Sequence, residues 1–125
     1  MNNGLDTGVD IYYKEVAMGD HLGRFEHFLL LAVMRLGEDA YGMTIRRELA
    51  DHTGRDIAVG AIYTALARLE RRGLVQSWLG EPTPERGGKA KRHYRVLAAG
   101  KKALAKAEAA LTALSRAAGD HLGRT

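Results

Sequence analysis

The chain places two cationic segments close together, residues 59–72 and 86–92. The first has the residue spacing of a helix and ends at Gly73, and the second carries Lys89, Lys91 and Arg92 beside two glycines. Lysine and arginine neutralise phosphates, and an exposed helix of this kind fits the major groove of DNA. These segments therefore predict a helix that enters a DNA groove and a hairpin that follows the phosphates.

The start of the cationic helix is uncharged and small. Gly60 and Ala61 leave backbone N–H groups accessible, which favours a close approach to a phosphate, although these residues would also simply fit a tight turn into the helix. Tyr63 and Thr64 could hydrogen-bond to a phosphate or a base edge, and Tyr63 could instead be a packing residue. We expect all four residues to contact DNA, through either their side chains or their backbone.

Arginine 68 is the favoured cation of this helix. It projects away from Leu66 and Leu69 and could reach the backbone or a guanine, whereas Arg71 and Arg72 lie where cations stabilise the end of a helix. On the hairpin, Lys89, Lys91 and Arg92 would add attraction that does not depend on base sequence, or would be a solvated basic face.

Two residues of an earlier helix complete the candidate DNA interface. Tyr41 and Arg46 could hold phosphates across the groove from the cationic helix. Because Tyr41 follows a turn, the alternative is that its ring covers the core.

Composition limits the other kinds of function. The chain has 125 residues, a net charge of +4 and no cysteine, and no acidic residue occurs between Arg86 and Lys106. One domain is expected, with a polyanionic partner and without disulfides or a thiolate zinc site. The longest apolar run, residues 28–34, is too short to span a membrane, so we expect a soluble, cytoplasmic protein.

Catalytic and metal-binding patterns are missing from the sequence. The five histidines do not have a spacing that would bring two of them together with a carboxylate, and no phosphate-binding glycine loop or Ser/His/Asp set stands out. We expect no metal, no resident cofactor and no enzymatic activity.

Apolar spacing predicts three helices, then a hairpin, then a last helix. The predicted bounds are Phe25–Leu36, Tyr41–Asp51, Val59–Arg72, strands Leu74–Leu79 and Arg92–Leu97, and Ala99–Ala118. Asp39 is expected to cap the second helix. Prolines and glycines in the hairpin tip, residues 80–91, predict a tip that moves until something binds it.

The last helix has a narrow apolar seam of Leu104, Ala107, Leu111 and Leu114. Such a seam is typical of a helix that pairs with a second helix. We therefore expect a homodimer, with Phe25 and Phe28 beside this interface.

The fold class is accordingly mainly α with a small β-hairpin, a winged helix-turn-helix followed by a C-terminal dimerisation helix. Residues 1–18 are expected to be a loose N-terminal arm. Residues 19–97 form the DNA-binding unit, and residues 98–125 form the dimerisation helix and tail of one overall domain.

The residues from about Gly23 to Leu104 resemble the PadR family of winged-helix transcriptional regulators, and the single last helix resembles its smaller subgroup. The motifs that carry the resemblance are Phe28-Leu29-Leu30-Leu31, Leu36 to Gly42, Gly60-Ala61-Ile62-Tyr63, Leu66, Arg68-Leu69, Arg72 to Val75, Gly87-Gly88-Lys89, Lys91-Arg92, Tyr94 and Gly100. The resemblance implies a homodimeric regulator, favoured as a repressor, that binds an inverted-repeat operator and responds to a small molecule. This sequence departs from the family's pattern at Ala98, where the family usually has a threonine that would cap the last helix.

Two other functions are compatible with these residues. A winged helix can be a protein-interaction module, in which case the leucine seam would bind a different protein. The regulator could also be a sensor that holds an aromatic ligand near Phe25, Phe28 and the last helix, although two phenylalanines also suit an ordinary core. For the regulator itself, the two recognition helices are expected about one DNA turn apart.

Overall fold

A computed structural model describes residues 21–82 and 89–123. The elements in chain order are α1 (Arg24–Leu36), α2 (Gly42–Thr53), α3 (Val59–Arg71), β1 (Val75–Leu79), β2 (Arg92–Val96) and α4 (Ala98–Ala117). Short 3-10 turns occupy Gly37–Asp39 and Asp120–Leu122. The predicted order of three helices, a hairpin and a last helix is confirmed, with bounds that differ by at most two residues. The predicted arm and the centre of the hairpin tip, with Gly87 and Gly88, lie outside the described residues.

The core is built from one apolar face of each helix and the inner face of the hairpin. Its largest fully buried side chains are Leu29, Leu30, Val33, Ile45, Ile62, Leu66, Leu69 and Val75. In α3 the three core residues recur at four- and three-residue intervals, which places them on one face of the helix. Ala65 is buried on the same face, whereas Tyr63, Thr64 and Arg68 lie on the exposed side of the helix.

The hairpin strands pair antiparallel, from Val75 opposite Val96 to Leu79 opposite Arg92. The residues just before α2 join this sheet, because the backbone N–H of Tyr94 donates to the carbonyl of Ala40 at 3.0 Å and Tyr41 bridges to His93. This pairing fixes the hairpin beside the start of α2 and so determines which residues can share a surface with it.

The predicted cap of α2 is wrong, and the start of α4 is displaced by one residue. At α2 the capping position is Tyr41, whose N–H donates to the Thr44 hydroxyl at 3.0 Å, while Asp39 contributes its backbone carbonyl, which accepts from the same hydroxyl. At α4 the capping residue is Leu97, and Ala98 is already the first helical residue. The last helix therefore begins without a capping side chain, at Leu97, one residue before the predicted position.

Candidate nucleic-acid interface

A cleft of about 620 Å³ opens where the start of α2 and the first turns of α3 meet the side of the hairpin tip that leads into β2. It is lined by Tyr41, Met43, Tyr63, Lys89, Ala90, Lys91 and Arg92. The fold thus brings five of the predicted DNA-binding residues, from three separate elements, to one concave surface. Met43 and Ala90 belong to this surface and were not predicted from the sequence, because an isolated Met and Ala give no chemical signal.

Tyrosine 63 forms the wall of the cleft between α3 and α2. A Cβ atom at Gly42 would lie 2.3 Å from the Tyr63 hydroxyl oxygen, so the ring can occupy this position because residue 42 is glycine. On its other side the Tyr63 ring lies 6.4 Å from that of Tyr94. Since Tyr63 is still 39% exposed, it is a packing residue that also forms part of the surface.

Tyrosine 94 lies beneath this wall and is buried. Burial raises the pKa of its hydroxyl, and the neighbouring Tyr63 adds to the increase. The Tyr94 hydroxyl is thus uncharged at neutral pH, as an ordinary tyrosine also is, and Tyr94 lies behind Tyr63 rather than in the lining of the cleft.

The opposite wall holds a cation over an aromatic ring. The Lys91 ammonium lies 4.4 Å from the centre of the Tyr41 ring, a cation–π contact that positions the charge at the cleft. Tyr41 in turn contacts the His93 ring at 5.5 Å, and His93 stacks on Trp78 at 5.6 Å. His93 is fixed from its other edge, since Nδ1 donates to the carbonyl of Glu38 at 2.9 Å.

A hydrogen-bonded chain connects α3 to the hairpin through an acid that the sequence did not single out. The Ser77 hydroxyl donates to the Glu70 carboxylate at 2.9 Å, and the Ser77 N–H donates to it at 3.2 Å. Arg92 Nη1 donates to the Ser77 oxygen at 3.1 Å. Glu70 thus holds β1 and orients Arg92, so these three residues set the hairpin relative to α3. The sequence did offer a signal for this contact, because Glu70 is the single acidic residue near the end of an otherwise cationic helix.

The outer face of α3 carries the remaining predicted contacts. Gly60, Ala61, Thr64 and Arg68 are exposed, as expected. Within the described residues, the Arg68 side chain makes no hydrogen bond or ion pair. By contrast, Arg72 donates to Glu26 at 3.2 Å and to the carbonyl of His21 at 2.7 Å. The preference for Arg68 over Arg72 as a ligand contact is consistent with these positions.

Arginine 46 is engaged within the chain. Its guanidinium donates to both carboxylate oxygens of Asp56, from Nε at 2.7 Å and from Nη2 at 3.0 Å. The hydrogen bond from Arg46 and its positive charge hold the pKa of the Asp56 carboxyl below its usual range. The same hydrogen bond and the negative charge of Asp56 raise the pKa of Arg46. Arg46 could meet a phosphate only by sharing or leaving this partner, and it lies outside the lining of the cleft.

The residues predicted for dimerisation fall into two groups. Leu104 is buried in the core of its own chain, and Phe25, Phe28 and Ala107 pack partly buried against that core. Leu111 and Leu114 are 58% and 71% exposed, respectively. Between the groups, His27 on α1 lies 2.6 Å from the Glu108 carboxylate on α4. The surface available to a second helix is therefore the distal part of the seam.

The described residues carry neither a metal-binding cluster nor a membrane-spanning helix. Across residues 21–82 and 89–123, no three His, Cys, Asp or Glu side chains are grouped so that they could hold a metal ion. In the same part of the chain, no helix combines the length and apolarity that a membrane crossing requires.

The geometry just described is that of a winged helix with a cationic cleft beside its third helix, and sequence comparison identifies its family. Residues 30–106 match the model of the transcriptional regulator PadR-like family. The chain belongs to the PadR-like family. This confirms the resemblance seen in the sequence and the expectation of a transcription regulator rather than an enzyme. No curated protein matches the chain.

Solved structures of PadR proteins share the fold. A PadR family transcriptional regulator from Eggerthella lenta DSM 2243 is 29% identical, with 94% of this chain and 95% of that chain covered and a TM-score of 0.62. A PadR-like transcription factor from Bacteroides fragilis is 21% identical, covers 92% and 98%, and has a TM-score of 0.66. A PadR family regulator from Clostridium difficile R20291 is 19% identical, covers 77% and 96%, and has a TM-score of 0.63.

Proposed function

We propose that this PadR-like regulator binds inverted-repeat operator DNA as a homodimer and represses transcription. Helix α3 would lie in the major groove, and residues 80–92 would follow the phosphate backbone. The observation that carries the proposal is the cleft in which Tyr41, Tyr63, Lys89, Lys91 and Arg92 meet beside the exposed face of α3. Membership of a family of transcriptional regulators supports the same function.

Charge is distributed in a way that suits DNA. The hairpin supplies Lys91 and Arg92, which are held by Tyr41 and by Ser77, so these cations lose little side-chain freedom on meeting a phosphate. Arg68 is exposed on α3, where it could reach a guanine or the backbone. We therefore assign sequence-independent attraction to the hairpin and positioning or readout to α3.

Two copies of α3 are needed to read an inverted repeat. The exposed Leu111 and Leu114 on α4 support pairing of two chains through the distal seam, which would place two recognition helices about one DNA turn apart. The homodimer then has the same two-fold symmetry as its operator.

The test is a gel-shift titration with DNA from upstream of the gene that encodes this protein, against scrambled DNA, at two salt concentrations. Arg68→Ala should weaken binding to the operator more than to scrambled DNA. Lys89→Ala should weaken both, and should lower the slope of log K against log salt by about 1. Lys102→Ala, an exposed cation on α4 outside the cleft, is the matched control.

Weak and equal binding to both DNAs by the intact dimer, at either salt concentration, would contradict the proposal. A stable complex with a different protein through Leu111 and Leu114 would then favour the interaction-module alternative. Sedimentation of wild type and Leu114→Glu over a range of concentrations distinguishes pairing with itself from pairing with another chain.

We also propose that repression is relieved by a small molecule. A groove of about 560 Å³ runs between α1 and α2, with Phe28, Leu31, Ala32 and Leu49 on its apolar floor. Its lining includes neither Phe25 nor a residue of α4, the other parts of the ligand site expected from the sequence. Its volume lies in the range of ligand pockets. The fluorescent aromatic anion 8-anilinonaphthalene-1-sulfonate is a suitable probe. Binding that is lost in Leu31→Glu and retained in Leu79→Glu would support the site, and equal binding by both variants would exclude it.

A further inference from the structure

We infer that the first two turns of α3 recognise the 5-methyl groups of thymine, through the methyl groups of Ala61 and Thr64. The inference deepens the proposed function and rests on it, because these side chains must enter the major groove. It names which base edges this helix selects, a property that the charges of the interface do not determine.

The chemical character of the exposed surface is the first step. In the part of α3 before Arg68, the exposed residues are Gly60, Ala61, Tyr63 and Thr64, none of which is charged. The first turns of a recognition helix commonly make its base contacts. This surface therefore lacks the arginine, lysine, asparagine or glutamine side chains that make two hydrogen bonds to one base.

The Thr64 hydroxyl on this surface is already engaged. The Thr64 hydroxyl donates its proton to the carbonyl of Gly60 at 2.9 Å, within the same helix. The groups of Thr64 that remain available to contact a base are its methyl group and one lone pair of its hydroxyl oxygen. The Tyr63 hydroxyl is packed against Gly42 at the start of α2, which holds it at the side of the helix.

Thymine is the base that matches what remains. In the major groove it alone presents a methyl group, and alanine and the threonine methyl are the usual apolar contacts for it. Ala61 and Thr64 are three residues apart and so are neighbours on the helix surface. The pair forms one small apolar patch next to Arg68, which follows Thr64 by one turn.

The experiment first selects preferred sites from a random duplex library with the full chain, and then replaces each thymine of the selected half-site by deoxyuridine. This removes one methyl group and leaves every hydrogen-bonding atom in place. Loss of a buried methyl corresponds to about fourfold weaker binding, from about 0.8 kcal/mol per buried carbon. We expect that loss at one or two positions of each half-site and no loss elsewhere.

Thr64→Ser assigns the contact, because it keeps the hydroxyl that bonds to Gly60 and removes the methyl group. Replacing thymine by deoxyuridine at the position contacted by Thr64 should then cause no further loss of DNA affinity in this variant. Ala61→Gly provides the second test, with circular dichroism to verify that the helix is intact. Thr53→Ser is the matched control, since the Thr53 hydroxyl makes the same type of bond to Leu49 at 2.6 Å on α2.

The outcomes separate the inference from the proposed function. A selected operator that tolerates deoxyuridine at every position overturns the inference and leaves the regulator function standing. Sensitivity to 7-deazaguanine without sensitivity to deoxyuridine overturns it in favour of guanine readout by Arg68. Failure to select any preferred sequence overturns both.

Discussion

Helices α3 and α4 have similar leucine spacing in the sequence but different environments in the fold. In α3, Ile62, Leu66 and Leu69 are completely buried. In α4, Leu104 is buried, whereas Leu111 and Leu114 are more than half exposed. The difference arises because α1 and α2 and the hairpin surround α3, while α4 extends beyond the elements that cover its start. An apolar stripe thus shows that a helix has a partner but not whether the partner is the same chain.

The polar contacts of the two helices differ in the same way. Near its end α3 is tied to β1 by Glu70, and Arg72, which follows its last residue, is tied to α1. On α4 the His27–Glu108 pair contacts α1 before the exposed leucines begin. A rigid α3 suits a helix that must fit a groove, and a protruding α4 suits a helix that pairs with another copy.

The largest expected effect tests burial directly. Leu66→Ala leaves a cavity in the core and should lower the free energy of unfolding by about 2–5 kcal/mol at any protein concentration. Leu114→Ala should have little effect at low concentration and a larger one where the chains pair. Urea unfolding at two protein concentrations measures both. If the two substitutions had equal effects that did not depend on concentration, the contrast between the helices would be wrong.

Substitutions at the start of α4 are expected to destabilise the chain as those in α3 do, because this part of α4 packs closely against the domain. A Cβ atom at Gly100 would lie 2.2 Å from the carbonyl oxygen of Leu74, a backbone atom that cannot turn away. Gly100→Ala should therefore destabilise the chain by about 1–3 kcal/mol. Gly119→Ala, near the far end, meets backbone oxygen at 3.2 Å and is the control. An unchanged midpoint of thermal unfolding for Gly100→Ala would contradict close docking of α4.

The fold was largely predictable because its signals are local. Residue spacing defined the bounds of α1 to α4, and alternation with turn residues defined the hairpin. The caps were not predictable, because an acid at Asp39 looks suitable in sequence although Thr44 makes the contact. Likewise the position of Ala98 gave no indication that the extended backbone ends one residue earlier, at Leu97.

The candidate site was predictable in its residue types and not in its connections. Cations on the hairpin and tyrosines at helix starts were visible as single residues. Their meeting in one cleft depends on the pairing of Tyr41 with His93, which joins residues far apart in the sequence. The link from Glu70 through Ser77 to Arg92 depends on the hairpin register for the same reason.

A smaller effect on stability is expected at the contact between α2 and α3. Gly42→Ala places a methyl group where the Tyr63 hydroxyl lies, and this ring can swing away because it is the end of a side chain. We expect unfolding to change by less than about 1 kcal/mol, and operator affinity to fall several-fold because the cleft loses its wall. Isothermal titration with operator DNA measures the loss.

The double variant shows whether Tyr63 carries this effect. In a Tyr63→Ala background, Gly42→Ala should cause no additional loss of operator affinity, since the displaced group is absent. An additive loss would mean that residue 42 acts through the start of α2 instead.

The smallest expected effect concerns the approach to α3, where Asp56 pairs with Arg46. Arg46 holds the pKa of the Asp56 carboxyl below its usual range. A depressed folded pKa stabilises the protein above the unfolded pKa, about 3.9, and this contribution is lost as the pH falls through the folded value. Wild type should therefore melt slightly above Asp56→Asn at pH 7 and pH 5, and this advantage should shrink below about pH 4.

Asp51→Asn is the matched control, because Asp51 is an exposed carboxylate of α2 without an ion pair in the described part of the chain. Arg46 and Asp56 are both solvent-accessible, so salt should reduce the difference in melting temperature between wild type and Asp56→Asn. If the advantage appears and salt reduces it, the loop before α3 is held by charge in addition to the buried face. If wild type and Asp56→Asn have the same melting temperature at every pH, burial of its apolar face alone positions α3. The difference between α3 and α4 would then lie only in how far other elements bury their leucines.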